Sequence, residues 1–326
     1  MLSLDKVFNA QMVLKNIIRE TKLVRAYGIA PDSELYLKPE NLQITGSFKV
    51  RGSAYKIAML SEEEKAKGVI ACSAGNHAQG VALAATKNGI KSLICLPDSA
   101  PISKIEATKG FGADVCLVAG CYDDAYQKAL ELKEKEGYTF VHPFDDENVI
   151  AGQGTIALEI LNDLDNIDAI VVPVGGGGLL SGIAYTVKQI RPSVKVYGVQ
   201  VKGAPSMYKS LKAGKIECLK SVQTIADGIA VKEPGENTFA IASEYVDDVV
   251  LVSDDEVASA ILALIEKQKM IAEGAGATAV AAVMFDKLPL KGKRVVCVVS
   301  GGNIDVTSLS RVIDRGLLNS GRSSSL

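Results

Sequence analysis

Short runs of consecutive apolar residues, each followed by a stretch with helical spacing, recur along most of this chain. Val69 to Cys72 is such a run, followed by a helical pattern over 76–87. Ser92 to Leu96 precedes a helix over 102–109, and Ala113 to Val118 one over 123–135. Ala169 to Val174 precedes a helix over 179–189, and Val194 to Val201 one over 205–211. Val249 to Val252 leads into a helix from about Asp255, and Arg294 to Val299 into a last one over 306–313. Runs that are near-continuously apolar are buried on both faces, as in parallel sheets. Their alternation with helices predicts an open α/β architecture with helices on both faces of the sheet. Ser61 to Glu64 and Ser253 to Glu256 have the spacing of a capping box and mark two helix starts.

The 326 residues carry too many strands for one small sheet, so two units are expected, with a break near Phe144-Asp145-Asp146. Composition narrows the function classes. Hydrophobic residues make up 48% and charged residues 23%, a globular balance, and the formal charge of -2 gives no whole-molecule attraction to nucleic acid or an acidic membrane. The apolar runs are strand-length, too short to span a bilayer. Met1 to Ala10 lacks the basic and apolar segments of a signal peptide. Six cysteines without a CxxC pair read as reduced thiols of a cytoplasmic protein.

In open α/β sheets the informative loops follow strands, because ligands sit beyond the strands' carboxyl ends. After Cys72 comes Ser73-Ala74-Gly75-Asn76-His77-Ala78-Gln79-Gly80, small residues leading into a helix start, which suits a carboxylate; an ordinary tight turn is the alternative. After Val174 come Gly175, Gly176, Gly177, Gly178 and Leu179. Four glycines exceed what a turn needs, and successive N–H groups at a helix start make a phosphate cradle, a flexible hinge being the alternative. The run lacks the GxGxxG spacing of dinucleotide folds and the Lys-Ser/Thr ending of a P-loop, so its phosphate belongs to neither NAD nor ATP. After Val299 comes Ser300-Gly301-Gly302-Asn303, a weaker signal, since a hydroxyl beside glycines is also a plain turn. Earlier in the chain, Thr45-Gly46-Ser47-Phe48-Lys49-Val50-Arg51-Gly52 sets a lysine after an aromatic ring and between glycines. An imine-forming lysine must be partly desolvated, which Phe48 and its apolar neighbours can supply, an ordinary surface lysine being the alternative. His77 and His142 are the only histidines; His142, before Pro143, reads as structural.

These four elements in this order, with Pro39-Glu40-Asn41 and Ala226-Asp227-Gly228, resemble the fold-type II pyridoxal-phosphate enzymes. Within them the chain is similar to the threonine and serine dehydratases, especially the short catabolic threonine dehydratases, and to serine racemase, from about Lys15 to Arg315. The resemblance implies two open, twisted, mainly parallel sheets flanked by helices, as in the tryptophan synthase β fold. It implies a large domain of residues 1–44 plus 146–316, a small domain of 45–145 and a flexible tail of 317–326. Arg311 to Leu318 resembles the stretch that leads, in longer dehydratases, into a small regulatory domain. It implies pyridoxal 5'-phosphate as cofactor, with Lys49 forming the imine and then moving the proton, and Phe48 beside the ring. Asn76 is then on the ring's 3-oxygen, Gly175, Gly176, Gly177, Gly178 and Leu179 on the phosphate, and Ser300 on the pyridine nitrogen. The loop of Ser73, Ala74, Asn76 and His77 holds the substrate carboxylate. The implied reaction is dehydration and deamination of L-threonine to 2-oxobutanoate and ammonia, with L-serine to pyruvate as a second activity, by a cytoplasmic homodimer or homotetramer.

Two other readings are weighed. A racemase needs a second proton carrier, and the serine that fills this place in serine racemase is here Ala74. A non-catalytic ligand-binding protein of the same fold has no need of a lysine at position 49. The carboxylates that bind a divalent cation in relatives of serine racemase correspond here to Gln200 and Ser206, so no divalent metal is expected, a monovalent ion held by carbonyls being the alternative.

Overall fold

The computed structural model describes residues 2–319 and 321–322. It divides into two compact units. The first takes the residues up to Arg19 with Gln43–Gln153; the second takes Glu20–Leu42 with Gly154 onward. The observed division differs from the expected one at the start of the chain. The helix Leu4–Leu14 belongs with the first unit because Val7, Ala10 and Leu14 are buried and the Tyr55 hydroxyl donates to Asn9 Oδ1 at 2.9 Å. Only residues 20–42 join the second unit. The later boundary falls inside the helix Glu147–Asp163, which has no break at that point.

The strands, in chain order, are β1 (Val24–Arg25), β2 (Glu34–Pro39), β3 (Val69–Cys72), β4 (Ser92–Pro97), β5 (Asp114–Val118), β6 (Thr139–Phe140), β7 (Ala169–Pro173), β8 (Lys195–Val201), β9 (Asp248–Val252) and β10 (Arg294–Val299). The first unit holds a four-stranded sheet in the order β5-β4-β3-β6, parallel throughout. The second holds a six-stranded sheet in the order β1-β2-β10-β7-β8-β9, parallel except for the β1–β2 pair. Every residue of β3 and β7 is buried, as their unbroken apolar runs require. The core of the first unit packs Ile70, Cys72 and Cys95 against Ala125 and Ala129 of the helix Tyr122–Glu136. In the second, Val171, Val199 and Cys297 meet Ala277, Val280 and Ala281 of the helix Gly274–Met284.

Both capping boxes form, at Ser61 with Glu64 and at Ser253 with Glu256. The last helix, Val306–Asn319, runs into the stretch expected to be a tail. Gly316 seats it against the Ala258 carbonyl, Arg315 pairs with Asp255 at 2.6 Å and Arg322 with Glu266 at 2.8 Å. Residues 317–319 are therefore helical, while the rest of the expected tail at 320 and 323–326 lies outside the described residues. Among the described residues no helix is long and apolar enough to cross a membrane. All six cysteines are free.

Candidate active site

In the first unit, Lys49 is the first residue of the helix Lys49–Ala58, with Phe48 as its N-cap. The lysine is half-buried; its Nζ donates to Pro143 O at 2.8 Å and stands 5.3 Å from the Phe48 ring centroid. Its neighbours are interior residues. Ser47 and Arg51 are fully buried, and Ser47 Oγ has no hydrogen-bond partner among the described residues. Two glycines let other helices approach this one closely. A methyl group at Gly52 would lie 2.4 Å from Gln153 Nε2 and 2.8 Å from Val149 O. One at Gly80 would lie 3.1 Å from Val50 N. The glycine after Lys49, a cue in the sequence, is thus required by packing against the helix Glu147–Asp163.

The Ser73–Gly75 loop follows β3, and the helix Asn76–Lys87 begins directly after it. Ser73 Oγ accepts the Gly75 N–H at 3.1 Å. A methyl group at Gly75 would meet no protein atom within 4 Å, so packing does not require a glycine there. The first turn of any helix leaves N–H groups without intrahelical acceptors. Those of this helix, with its dipole, offer a carboxylate a backbone docking point.

His77 is placed differently from the expectation. Its ring is buried and its Nε2 lies 2.8 Å from Val141 O, so Nε2 carries the proton and donates. Nδ1 is buried, without a partner among the described residues, and in this tautomer is an acceptor only. The ring therefore cannot grip a carboxylate; His77 has only its backbone N–H to offer one. His142 is structural, its Nδ1 accepting the Phe144 and Asp145 N–H groups at 3.3 and 2.8 Å.

Burial, reinforced by the nearby Lys49 ammonium, pushes the His77 imidazole from 6.5 down to about 3. Burial also lowers that of His142. A histidine with a lowered folded value binds its proton more readily in the unfolded chain. Its contribution to stability is complete above about pH 6.5 and is lost as the pH falls toward 3. Between pH 7.5 and 5.5 the expected loss through His77 is about 1.4 kcal/mol. Urea unfolding at the two pH values should show this loss in the parent and not in His77→Gln, His142 contributing alike to both. An equal pH dependence in the two proteins would refute the buried neutral assignment.

In the second unit the loops after β2, β10 and β7 lie at the carboxyl ends of adjacent parallel strands. Gly175–Gly177 follow β7 and the helix Gly178–Ile190 begins at once, with Gly177 as a left-handed N-cap at φ +103°. Among the described residues, none of the N–H groups from Gly175 to Leu180 donates to a backbone carbonyl, and the first bond into the helix is Ser181 N–H to Gly177 O at 2.8 Å. A run of N–H groups at the positive end of a helix is the donor set of a phosphate site. Ser300, at the end of β10, is 3% exposed, and its hydroxyl makes no hydrogen bond among the described residues.

Three further elements, given no role from sequence, close around these loops. The Ala226–Ile229 turn meets the glycine run, where a methyl group at Gly175 would lie 3.2 Å from Ile229 Cα. The helix Gly274–Met284 touches the Ser300 loop through Gly276, where a methyl group would lie 2.2 Å from Gly301 O. Asn41 donates to Ile271 O at 2.8 Å beside Gly302, and its Oδ1 is buried without a partner among the described residues. The run Glu273-Gly274-Ala275-Gly276 was a legible cue, an acidic N-cap followed by two glycines in three residues. Gln200 and Ser206 form an uncharged network. Gln200 Nε2 donates to Val174 O at 3.2 Å and to Ser206 Oγ at 3.4 Å, and Gln200 Oε1 accepts the Tyr208 N–H at 2.9 Å.

Parallel α/β sheets with a run of N–H donors at a helix start beyond the strand ends are the architecture of an enzyme class that holds a phosphorylated cofactor. Residues 14–301 match the family model of pyridoxal-phosphate dependent enzymes, and the chain belongs to that family. It is 53% identical over 324 residues to the L-threonine ammonia-lyase of Thermotoga maritima, covering 99% of this chain and 80% of that protein. The processed form of threonine deaminase isoform 2 from Solanum lycopersicum matches with a TM-score of 0.91 and 40% identity, over 96% of this chain and 89% of that one. Maize serine racemase matches equally in fold, at a TM-score of 0.91, with 33% identity over 98% of this chain and 99% of that one.

Proposed function

We propose that this chain converts L-threonine to 2-oxobutanoate and ammonia, and L-serine to pyruvate as a secondary activity. The reading rests above all on identity of 53% to an L-threonine ammonia-lyase along nearly the whole chain. The geometry agrees with it. The donor set from Gly175 to Leu179 fits a phosphate dianion, and a half-buried primary amine at Lys49 fits a carbonyl partner. Pyridoxal phosphate, when bound, supplies that carbonyl and a ring that delocalises the charge left by proton removal.

The roles of the residues follow. Lys49 Nζ would hold the cofactor through its carbonyl, and the same amine would move the proton at the substrate α-carbon. Phe48 would pack beside the cofactor ring, and Asn76 would hydrogen-bond its 3-oxygen. The N–H groups of Gly175, Gly176, Gly177, Gly178 and Leu179 hold the phosphate. The Ser300 hydroxyl would hydrogen-bond the pyridine nitrogen and, unlike a carboxylate, would not hold a proton there. Ser73, Asn76 and the N–H groups at the start of the helix Asn76–Lys87 hold the substrate carboxylate, with the backbone open to approach at Gly75. Ala74 has no group that carries a proton, which argues against racemisation in spite of the fold shared with serine racemase.

Steady-state assays on both amino acids test the reading. L-threonine should give stoichiometric 2-oxobutanoate and ammonia, and L-serine should give pyruvate with almost no D-serine. D-serine formed as fast as pyruvate would sink the dehydratase assignment. We further propose a cytoplasmic homo-oligomer. Six free thiols and the exposed apolar side chains of Met12, Tyr27 and Ile102 support this, and light scattering on the purified protein decides the assembly.

A further inference from the structure

We infer that Thr238 and Gln200, buried behind the glycine run, are positioning residues that aim its N–H groups at the phosphate. The inference rests on the cofactor reading above and deepens it. In a trans peptide the C=O and the following N–H point in opposite directions. Holding a carbonyl on one side therefore fixes where the next N–H points. The Val174 carbonyl accepts a hydrogen bond from Gln200 Nε2 at 3.2 Å, which sets the direction of the Gly175 N–H. Two residues on, the Gly176 carbonyl accepts one from Thr238 Oγ1 at 2.6 Å, with the Gly235 N–H at 3.4 Å, which sets the direction of the Gly177 N–H.

Glycines need such an anchor. A run of them has more backbone freedom than any other sequence, so an unheld cradle gives up binding free energy to become ordered. The two anchors are themselves held. The Thr238 carbonyl accepts the Ser181 hydroxyl at 3.1 Å, which links the anchor to the helix Gly178–Ile190. Gln200 Oε1 accepts the Tyr208 N–H at 2.9 Å, which ties β8 to the helix Ser206–Ala213. From that helix Met207 reaches Gly177: a methyl group at Gly177 would lie 2.7 Å from Met207 Cε and 2.8 Å from Thr238 Cβ. Thr238, Gln200, Ser181 and Met207 are all fully buried. Each bond runs to a backbone atom of the loop or to an element touching it, so the two side chains act on the phosphate only through the glycines.

The test compares affinities of the protein for pyridoxal 5'-phosphate and for pyridoxal, which lacks the phosphate, by equilibrium dialysis with spectrophotometric detection. The ratio of the two isolates the cradle from the rest of the site. Thr238→Val keeps the shape and removes the hydroxyl; it should lower the ratio about tenfold, the effect of one lost hydrogen bond. Thr238→Ser should keep the ratio within about threefold of the parent, since the donor remains. Gln200→Met, which removes the other anchor, should lower it as Thr238→Val does and provides the test if the valine variant does not fold. A purely structural role would lower the melting temperature and weaken both ligands alike. A parent ratio retained in the valine and methionine variants overturns the inference and leaves the proposed function standing. A parent protein that shows no preference for the phosphorylated form overturns the cradle itself, and this inference with it.

Discussion

Replacing Lys49 by alanine is expected to lower turnover of L-threonine by about a thousandfold or more. One amine is assigned both the covalent hold on the cofactor and the movement of the α-proton, and a positioned acid–base group alone is worth about 10²–10⁴. The structure gives the amine a defined place: it starts a helix, its Nζ is anchored on Pro143 O at 2.8 Å and it lies against the Phe48 ring. Neither Lys49→Ala nor Lys49→Arg should recover the chemistry, because arginine keeps the charge but not a nucleophilic amine. Borohydride reduction of the protein with bound cofactor, followed by peptide mapping, should place the pyridoxyl group on Lys49. A label on another lysine, or an alanine variant within tenfold of the parent, would remove Lys49 from its assigned role.

The largest expected effect on stability is at Glu159. Lys38 is fully buried in β2, and its ammonium meets Glu159 Oε2 at 2.5 Å and the Thr21 carbonyl. Removing the carboxylate leaves a buried cation without its counter-charge, which costs about 3–5 kcal/mol. Glu159→Ala should therefore lower the urea midpoint strongly. The double variant Lys38→Met, Glu159→Leu should regain most of the loss, because apolar side chains replace a buried pair at little net cost. The pair also bears on the site. Lys38 is opposite Val298 in the β2–β10 register and directly precedes Pro39-Glu40-Asn41, so it holds the strand beside the one that leads into Ser300. A double variant as unstable as the single one would mean that the pair contributes net stability of its own.

Much of this architecture was legible in the amino-acid sequence because its signals are local. A strand buried on both faces must be apolar at every position, so β3, β4, β7 and β10 could be read as unbroken runs to within a residue or so. The helices after β3 and β7 begin at Asn76, as the spacing predicts, and at Gly178, one residue before the predicted start at Leu179. Serine three residues before glutamate specifies a capping box without reference to anything distant. The candidate residues could be named for the same reason: Lys49, the Ser73–His77 loop, Gly175–Leu179 and Ser300 all sit where short-range chemistry is unusual. Tertiary structure decided the rest. β2 escaped the reading because Lys38 interrupts its apolar pattern, and a charge can be buried there only because Glu159, far along the chain, comes to meet it. The helix Leu4–Leu14 could not be assigned to a unit, since its apolar face fits either core until the packing is known. The direction of the His77 ring was invisible because its partner, Val141 O, is a backbone atom that any residue would supply. Thr238 and Gln200 left no signal for a related reason. They act by hydrogen bonds to carbonyls brought close by the fold, and nothing in a lone buried threonine or glutamine says which carbonyl it will hold.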